Sequence, residues 1–233
     1  MAATLLYRLQ RIASPTSRIQ SPIAFQQSLH IRLLSSGLEN RGFLDVLRFK
    51  TIQPLNGQLK PQDFRCKAAL VVNTASKCSH ASQLKQLQTL HEKYSEQGLI
   101  VVAVPSNDFA GQEPGSIDDI LKRYMEFGVT FAIAEKTSVK GDNAHPFFRK
   151  IADKYGASVA PTWNFDKFLV DHRGEMIAVF PNDTEPLIDE VVAEIEEVLA
   201  DLPRDLTFGE KIIDGNESSR HEMNEEDAED KDK

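Results

Sequence analysis

Cysteine is scarce in this chain: among 233 residues only Cys66 and Cys78 occur. A disulfide-stapled scaffold is therefore excluded, because such folds rest on several cysteine pairs. There is no Cys-x-x-Cys pair, no Cys/His cluster at ligand spacing and no glycine-rich phosphate loop. Metal, dinucleotide and nucleoside-triphosphate chemistry thus have no motif to rest on, and no resident cofactor is expected. No apolar run approaches the roughly 20 residues that cross a bilayer, which argues against a membrane span. No long uncharged segment near the start reads as a secretory signal. Acidic residues are absent before Glu39, and Trp163 is the single tryptophan.

What remains is ordinary globular material, with 41% hydrophobic and 27% charged residues, enough to bury a core. The composition divides the chain into three. Residues 1–38 hold Arg8, Arg11, Arg18, Arg32 and six serines without an acid, the composition of a mitochondrial or plastid presequence. Arg32-Leu33-Leu34-Ser35-Ser36 suits a matrix processing site, so a mitochondrial matrix location is expected; a basic disordered arm is the alternative. Removing four arginines and no acids takes the formal charge from −8 to −12. Such an acidic protein is a poor match for nucleic acid. Residues 42–203 carry the folded domain. Residues 204–233 end in GNESSRHEMNEEDAEDKDK and are expected to be disordered, since they cannot offset the entropy of ordering; an acidic docking tail is the alternative.

Within 42–203, strand-like and helix-like segments alternate, as an α/β domain requires. Val46 to Ile52 with the Asn56-Gly57 turn predicts an N-terminal β-hairpin. Ala68 to Val72 and Leu99 to Val104 read as central strands, separated by a helix in which Leu84, Leu87 and Leu90 recur. Ser116 to Phe127 reads as helix, Thr130 to Ala134 as strand and Pro146 to Tyr155 as helix. Phe165 to Val170 and Met176 to Phe180 form a closing antiparallel pair around a turn at Asp171 to Gly174. Leu187, Ile188, Val191, Val192, Ile195, Val198 and Leu199 make the apolar stripe of a last helix.

Cys78 stands where the first central strand gives way to the helix, in Asn73-Thr74-Ala75-Ser76-Lys77-Cys78. Unpaired N–H groups of a helix start, the helix dipole and Lys77 all favour thiolate over thiol there. On local context alone a small buried hydrophobe is an equal reading. The wider pattern tips the balance. NTASKC, PSNDFAGQEPG (Pro105 to Gly115), WNFDKFLVDHRGE (Trp163 to Glu175) and FPNDTEPL (Phe180 to Leu187) resemble, in order and approximate spacing, four segments of the glutathione peroxidase family. The resemblance spans roughly Gly42 to Leu199. It implies a thioredoxin-like fold with a central mixed sheet flanked by helices.

Residue by residue, the resemblance makes Cys78 the peroxidatic residue and sets Gln112, Trp163 and Asn164 around its sulfur. Their amides and indole N–H are donors able to stabilise a thiolate and a departing oxyanion without being readily oxidised. Without the motif, Trp163 reads as a core aromatic and Gln112 and Asn164 as loop residues. Glu113, Pro114 and Gly115 read as loop geometry. The implied reaction is reduction of hydrogen peroxide or an organic hydroperoxide through a sulfenic acid. An external thiol, glutathione or thioredoxin, would restore the cysteine. Two departures stand out. Ser79, His80 and Ala81 replace the usual glycine, aromatic and threonine, and no resolving cysteine occurs near Tyr124, where thioredoxin-dependent relatives keep theirs. A lone histidine such as His80 is more often a bystander than a catalyst. Two other roles fit the same residues: a peroxide sensor that relays oxidation to a partner, and an inactive relative serving as a subunit of a mitochondrial complex.

The acid-free start predicts import. A reporter fused to residues 1–38 is expected in mitochondria, cut near Ser35; full-length protein recovered from the cytosol contradicts this.

Overall fold

The computed structural model describes residues 42–53 and 57–203. The expected presequence, the acidic tail and Asn56 of the hairpin turn lie outside the described residues.

Among the described residues a single seven-stranded sheet is built from β1 (Phe49–Gln53), β2 (Gly57–Leu59), β3 (Ala68–Thr74), β4 (Leu99–Pro105), β5 (Ala132–Ala134), β6 (Lys167–Val170) and β7 (Met176–Phe180). Their spatial order is β2-β1-β5-β4-β3-β6-β7. β3, β4 and β5 run parallel, and every other neighbouring pair is antiparallel. The helices are α1 (Gln83–Tyr94), α2 (Ile117–Glu126), α3 (Pro146–Tyr155) and α4 (Asp189–Ala200). This is the thioredoxin-like α/β arrangement expected, opened by the β1–β2 hairpin.

β3 explains its own sequence. All seven of its residues are buried. It bonds β4 in continuous register from Ala68↔Leu99 to Thr74↔Pro105 and β6 on its other side. A strand covered on both faces has no solvent side to alternate toward, so AALVV reads as an unbroken apolar run. Its alternate residues feed two separate cores. Ala68, Leu70 and Val72 pack with Leu84, Leu87 and Leu90 of α1, Ile120 and Tyr124 of α2, and Val191, Ile195 and Val198 of α4. Ala69 and Val71 pack with Phe147, Phe148 and Ile151 of α3. Each fully buried leucine or phenylalanine contributes about 1.5–3 kcal/mol. On the α3 side, edge-to-face rings add geometry: Phe147 and Phe148 lie 5.1 Å apart at 84°, and Phe148 and Phe168 lie 5.7 Å apart at 74°.

α3 occupies its predicted range, and α1 carries Leu84, Leu87 and Leu90 on its buried face. α2 starts where Ser116 and Asp119 cap each other reciprocally, Ser116 N donating to Asp119 Oδ2 at 2.9 Å and Asp119 N to Ser116 Oγ at 3.3 Å. Other boundaries moved. Leu44–Val46 forms a 3₁₀ turn, so the hairpin strand begins at Phe49. β5 is only Ala132–Ala134. Leu187 and Ile188 precede α4 and are exposed, so the stripe that reaches the core is Val191, Ile195 and Val198, buried, with Val192 and Leu199 partly buried against it. β6 starts at Lys167 because Phe165 has φ of +76°, which no extended strand accommodates. Phe165, expected as the first residue of that strand, therefore joins Trp163 and Asn164 in the turn before it.

His145 caps α3. Its Nδ1 accepts from Phe147 N at 3.3 Å, its Nε2 donates to the Arg48 carbonyl at 2.9 Å, and its ring stacks 4.5 Å from Phe49. The accepting Nδ1 fixes the neutral tautomer. Burial holds the imidazole below its ordinary pKa; the Arg48 carbonyl opposes that shift and Arg149 adds to it. A depressed folded pKa contributes stability that is present above the unfolded value of about 6.5 and is lost as pH falls through the folded value. Thermal unfolding should therefore shift to lower temperature as pH drops below about 6.5, and His145→Asn, which keeps a short capping acceptor, should flatten part of that dependence.

Candidate active site

At the C-terminal end of β3 the chain turns through Ala75, Ser76 and Lys77 to Cys78. Cys78 has extended backbone angles (φ −79°, ψ 149°) and precedes a 3₁₀ helix, Ser79–Ser82, that runs into α1 at Gln83. The first turn after the cysteine is thus 3₁₀, in place of the α-helical start that the sequence predicts at Cys78. Cys78 is 6% exposed, whereas Lys77 beside it is exposed. His80, half-buried, belongs to the 3₁₀ helix.

The glutamine loop closes over this turn: Lys77 N donates to the Gln112 carbonyl at 3.1 Å. The Gln112 side chain accepts from Asn164 Nδ2 at 2.9 Å. Asn164 is fully buried, and its Oδ1 has no hydrogen-bond partner among the described residues. Trp163 is held by its backbone, its carbonyl accepting from Asn73 Nδ2 at 2.8 Å and its N–H donating to Asp166 Oδ2 at 3.2 Å. The indole is 37% exposed, not a core aromatic, and tilts against Phe109 with centroids 5.7 Å apart. Gln112 and Asn164 therefore meet side chain to side chain, and Cys78 and Trp163 join them through Lys77 and Asn73. The cysteine turn is thus tied through backbone to the loop that carries the amide pair, and a buried cysteine in such a setting can serve nucleophilic chemistry.

A model of the glutathione peroxidase family matches residues 46–152, a span that includes Cys78 and Gln112. The glutathione peroxidase homolog BsaA of Bacillus subtilis (strain 168) is 39% identical over 158 residues, which cover 65% of this chain and 97% of the relative. The chain belongs to the glutathione peroxidase family. The glutathione peroxidase-like peroxiredoxin GPX5 of Chlamydomonas reinhardtii is 42% identical over 151 residues, covering 62% of this chain and 91% of that one. Among solved structures, Trgpx in apo form superposes with a TM-score of 0.54 at 26% identity, covering 69% of this chain and 97% of the other.

In this family member the two cysteines are kept apart by the sheet. Both are free, Cys66 exposed and Cys78 buried. Cys66 precedes β3 and Cys78 follows its far end, so the seven strand residues alone interpose about 20 Å at roughly 3.3 Å per residue. A disulfide requires Cα atoms within about 7 Å.

The structure also adds residues that the sequence reading passed over. Glu113, taken there for loop geometry, is fully buried. Its carboxylate accepts from Ser76 N at 2.7 Å and from Ser76 Oγ at 2.5 Å. Tyr124, also fully buried, donates its hydroxyl to Thr74 Oγ1 at 2.7 Å and lies 3.3 Å from Glu113 Oε2. Burial, and then the Glu113 charge, pushes the Tyr124 phenol well above its ordinary pKa. Lys136 reaches the backbone of the same loop, donating to the Gly115 carbonyl at 2.7 Å. The available signal was the acid itself, placed directly after Gln112 in a segment with no helical or strand period. Asp166 and Lys167, a charged pair inside the apolar WNFDKFLV run, gave a similar signal.

Removing Glu113 leaves Ser76 with two buried donors unpaired. Glu113→Ala is expected to lower the unfolding free energy by about 2–6 kcal/mol in denaturant titration, since each of the two stranded polar groups costs about 1–3 kcal/mol. Wild-type stability in that variant would show that the buried carboxylate does not hold the cysteine turn.

Proposed function

We propose that this protein is a one-cysteine thiol peroxidase in which Cys78 reduces hydrogen peroxide and organic hydroperoxides. The observation that carries the reading is the Asn164–Gln112 amide pair, bonded at 2.9 Å and tethered to the Cys78 turn through Lys77. The Cys78 thiolate attacks one peroxide oxygen, an S–O bond forms and the O–O bond breaks. The sulfur becomes a sulfenic acid, and the departing hydroxide or alkoxide takes a proton and leaves as water or an alcohol. Donors that are in position before the reaction stabilise the charge on that departing oxygen without reorganising, which is why amides serve here better than titratable groups.

Regeneration calls for an external thiol. With Cys66 beyond the opposite end of a buried central strand, no partner within the chain can attack the sulfenic sulfur without opening the least openable element of the sheet. Glutathione is the reductant we assign: one molecule displaces water from the sulfenic acid, forming a mixed disulfide, and a second releases the Cys78 thiol.

Four outcomes test the reading in steady-state peroxide consumption with glutathione and, separately, a thioredoxin system. Cys78→Ser should abolish turnover while folding normally, the change being nearly isosteric. Gln112→Ala and Asn164→Ala should slow it by about 10–1000-fold, the range for losing a positioned donor. Cys66→Ser should turn over like wild type with glutathione. Peroxide without added thiol should leave oxidised Cys78 and no Cys66–Cys78 disulfide by mass spectrometry. Wild-type turnover in Cys78→Ser ends the assignment, and an intramolecular disulfide ends the one-cysteine cycle.

A further inference from the structure

The turn that presents Trp163 and Asn164 is strained and heavily restrained. Phe165 holds φ at +76°, a conformation that costs a bulky residue on the order of 1–3 kcal/mol and persists only when surrounding bonds impose it. Bonds of this kind hold the turn from both sides of Phe165. Phe165 N donates to the Asn73 carbonyl at 2.6 Å, and Asn73 N donates to the Asp166 carbonyl at 3.3 Å. Asp166 Oδ2 accepts from Thr162 N, Thr162 Oγ1 and Trp163 N, while its Oδ1 accepts from Asn182 Nδ2. The Phe165 carbonyl has a different kind of partner, the ammonium of Lys167, which donates to it at 2.8 Å and to the Pro181 carbonyl at 3.2 Å.

Lys167 is fully buried. Its cross-strand neighbours are apolar, Val72 on β3 and Phe180 on β7. The charges that face it are carboxylates, Asp166 beside it and Asp183 and Glu185 from the segment after β7. None of these carboxylates forms a direct ion pair with it among the described residues. A lysine stripped of water and spent on two backbone carbonyls is an expensive way to satisfy them, unless the charge itself matters to the turn.

We propose that Lys167 is a positioning residue for the peroxide step: its protonated ammonium bridges the Phe165 and Pro181 carbonyls and so holds the strained turn that sets Asn164 against Gln112 beside Cys78. The inference rests on Cys78 being the peroxidatic residue. Burial lowers the Lys167 pKa to about 8, against the opposing pull of Asp166, Asp183 and Glu185. The proton is therefore lost within an accessible pH range. A neutral amine still donates, but without the charge assistance that makes such bonds about twice as strong. The turn then relaxes toward ordinary angles and the Asn164 amide leaves its post.

The sign separates this role from plain structural support. A lysine whose folded pKa is depressed makes the unfolded chain bind more protons between the two pKa values, so its contribution to stability rises with pH in that window. Its contribution to the peroxide step falls in the same window. A merely structural lysine would move both together.

The test is the second-order rate constant for peroxide oxidation of Cys78 in the full chain, read by rapid alkylation of the remaining thiol and peptide mass spectrometry, from about pH 6 to 10. Lys167→Arg keeps the charge throughout, and Lys167→Met never carries it. The ratio of wild type to Lys167→Arg is independent of the thiolate's own titration and should fall at least about fivefold through one proton loss near the Lys167 pKa. Lys167→Met should lie at least about fivefold below wild type near neutral pH, and the gap should narrow toward the alkaline end, where the wild-type amine keeps only its uncharged bonds. A constant ratio to Lys167→Arg, or a Lys167→Met variant with the wild-type rate near neutrality, overturns the proposal and leaves the peroxidase reading intact. If Lys167→Arg does not fold, the Lys167→Met comparison decides alone. A Cys78 that peroxide does not oxidise at any pH overturns the peroxidase reading and this inference with it.

Discussion

The site depends above all on Asn73, the residue at which the central strand, still paired with β4, exchanges its β6 partner for the tryptophan turn. It is completely buried at the end of β3. Its N–H and carbonyl bond the Asp166 carbonyl and the Phe165 N–H, and its side-chain amide bonds the Trp163 carbonyl. One step on, Thr74 accepts from Ser106 N through its carbonyl and from Tyr124 through its hydroxyl. Two residues of one strand thus anchor the loop before Cys78, the glutamine loop and the tryptophan turn. Because β3 is bonded on both sides and covered on both faces, these anchors inherit the rigidity of the most protected element in the domain. A site built from three separate loops behaves, for that reason, like a site built on a strand.

Two buried charges of opposite sign support it from below. Glu113 braces the cysteine turn through Ser76, and Lys167 braces the tryptophan turn through Phe165. Neither is neutralised by an ion pair among the described residues; each is solvated by dipoles of the backbone and of hydroxyl groups. Such arrangements are costly to desolvate but geometrically exacting, because a charge surrounded by a few fixed dipoles tolerates little displacement. The acid lies on the side of the nucleophile and the base on the side of the amide donors.

Legibility in the sequence followed the physical origin of each feature. β3, β4, α1 and α3 were readable because burial writes itself directly into the pattern: an unbroken apolar run for a strand covered on both faces, leucines at helical spacing for α1, and Pro146 at the first position of α3. Gln112, Trp163 and Asn164 were recognised through family-like strings and not through any period. The errors fell where tertiary bonds override local preference. Phe165 belongs to a β-favouring run, yet hydrogen bonds to Asn73 and Lys167 force it out of the strand region. Leu187 and Ile188 fit the α4 period but precede the helix. Glu113 looked like a loop residue because nothing local marks an acid whose partner lies 37 residues earlier in the chain.

The position of Trp163 has an optical consequence. It is the single tryptophan of the protein, and its ring is partly open to water beside Phe109 in the turn that carries Asn164. The remaining fluorophores are tyrosines, which transfer excitation to an indole and emit little of their own. Nearly all of the intrinsic emission therefore originates at one point on the rim of the site. Its intensity and wavelength form a built-in gauge of what occupies that rim, so binding there can be followed with no label and no mutation.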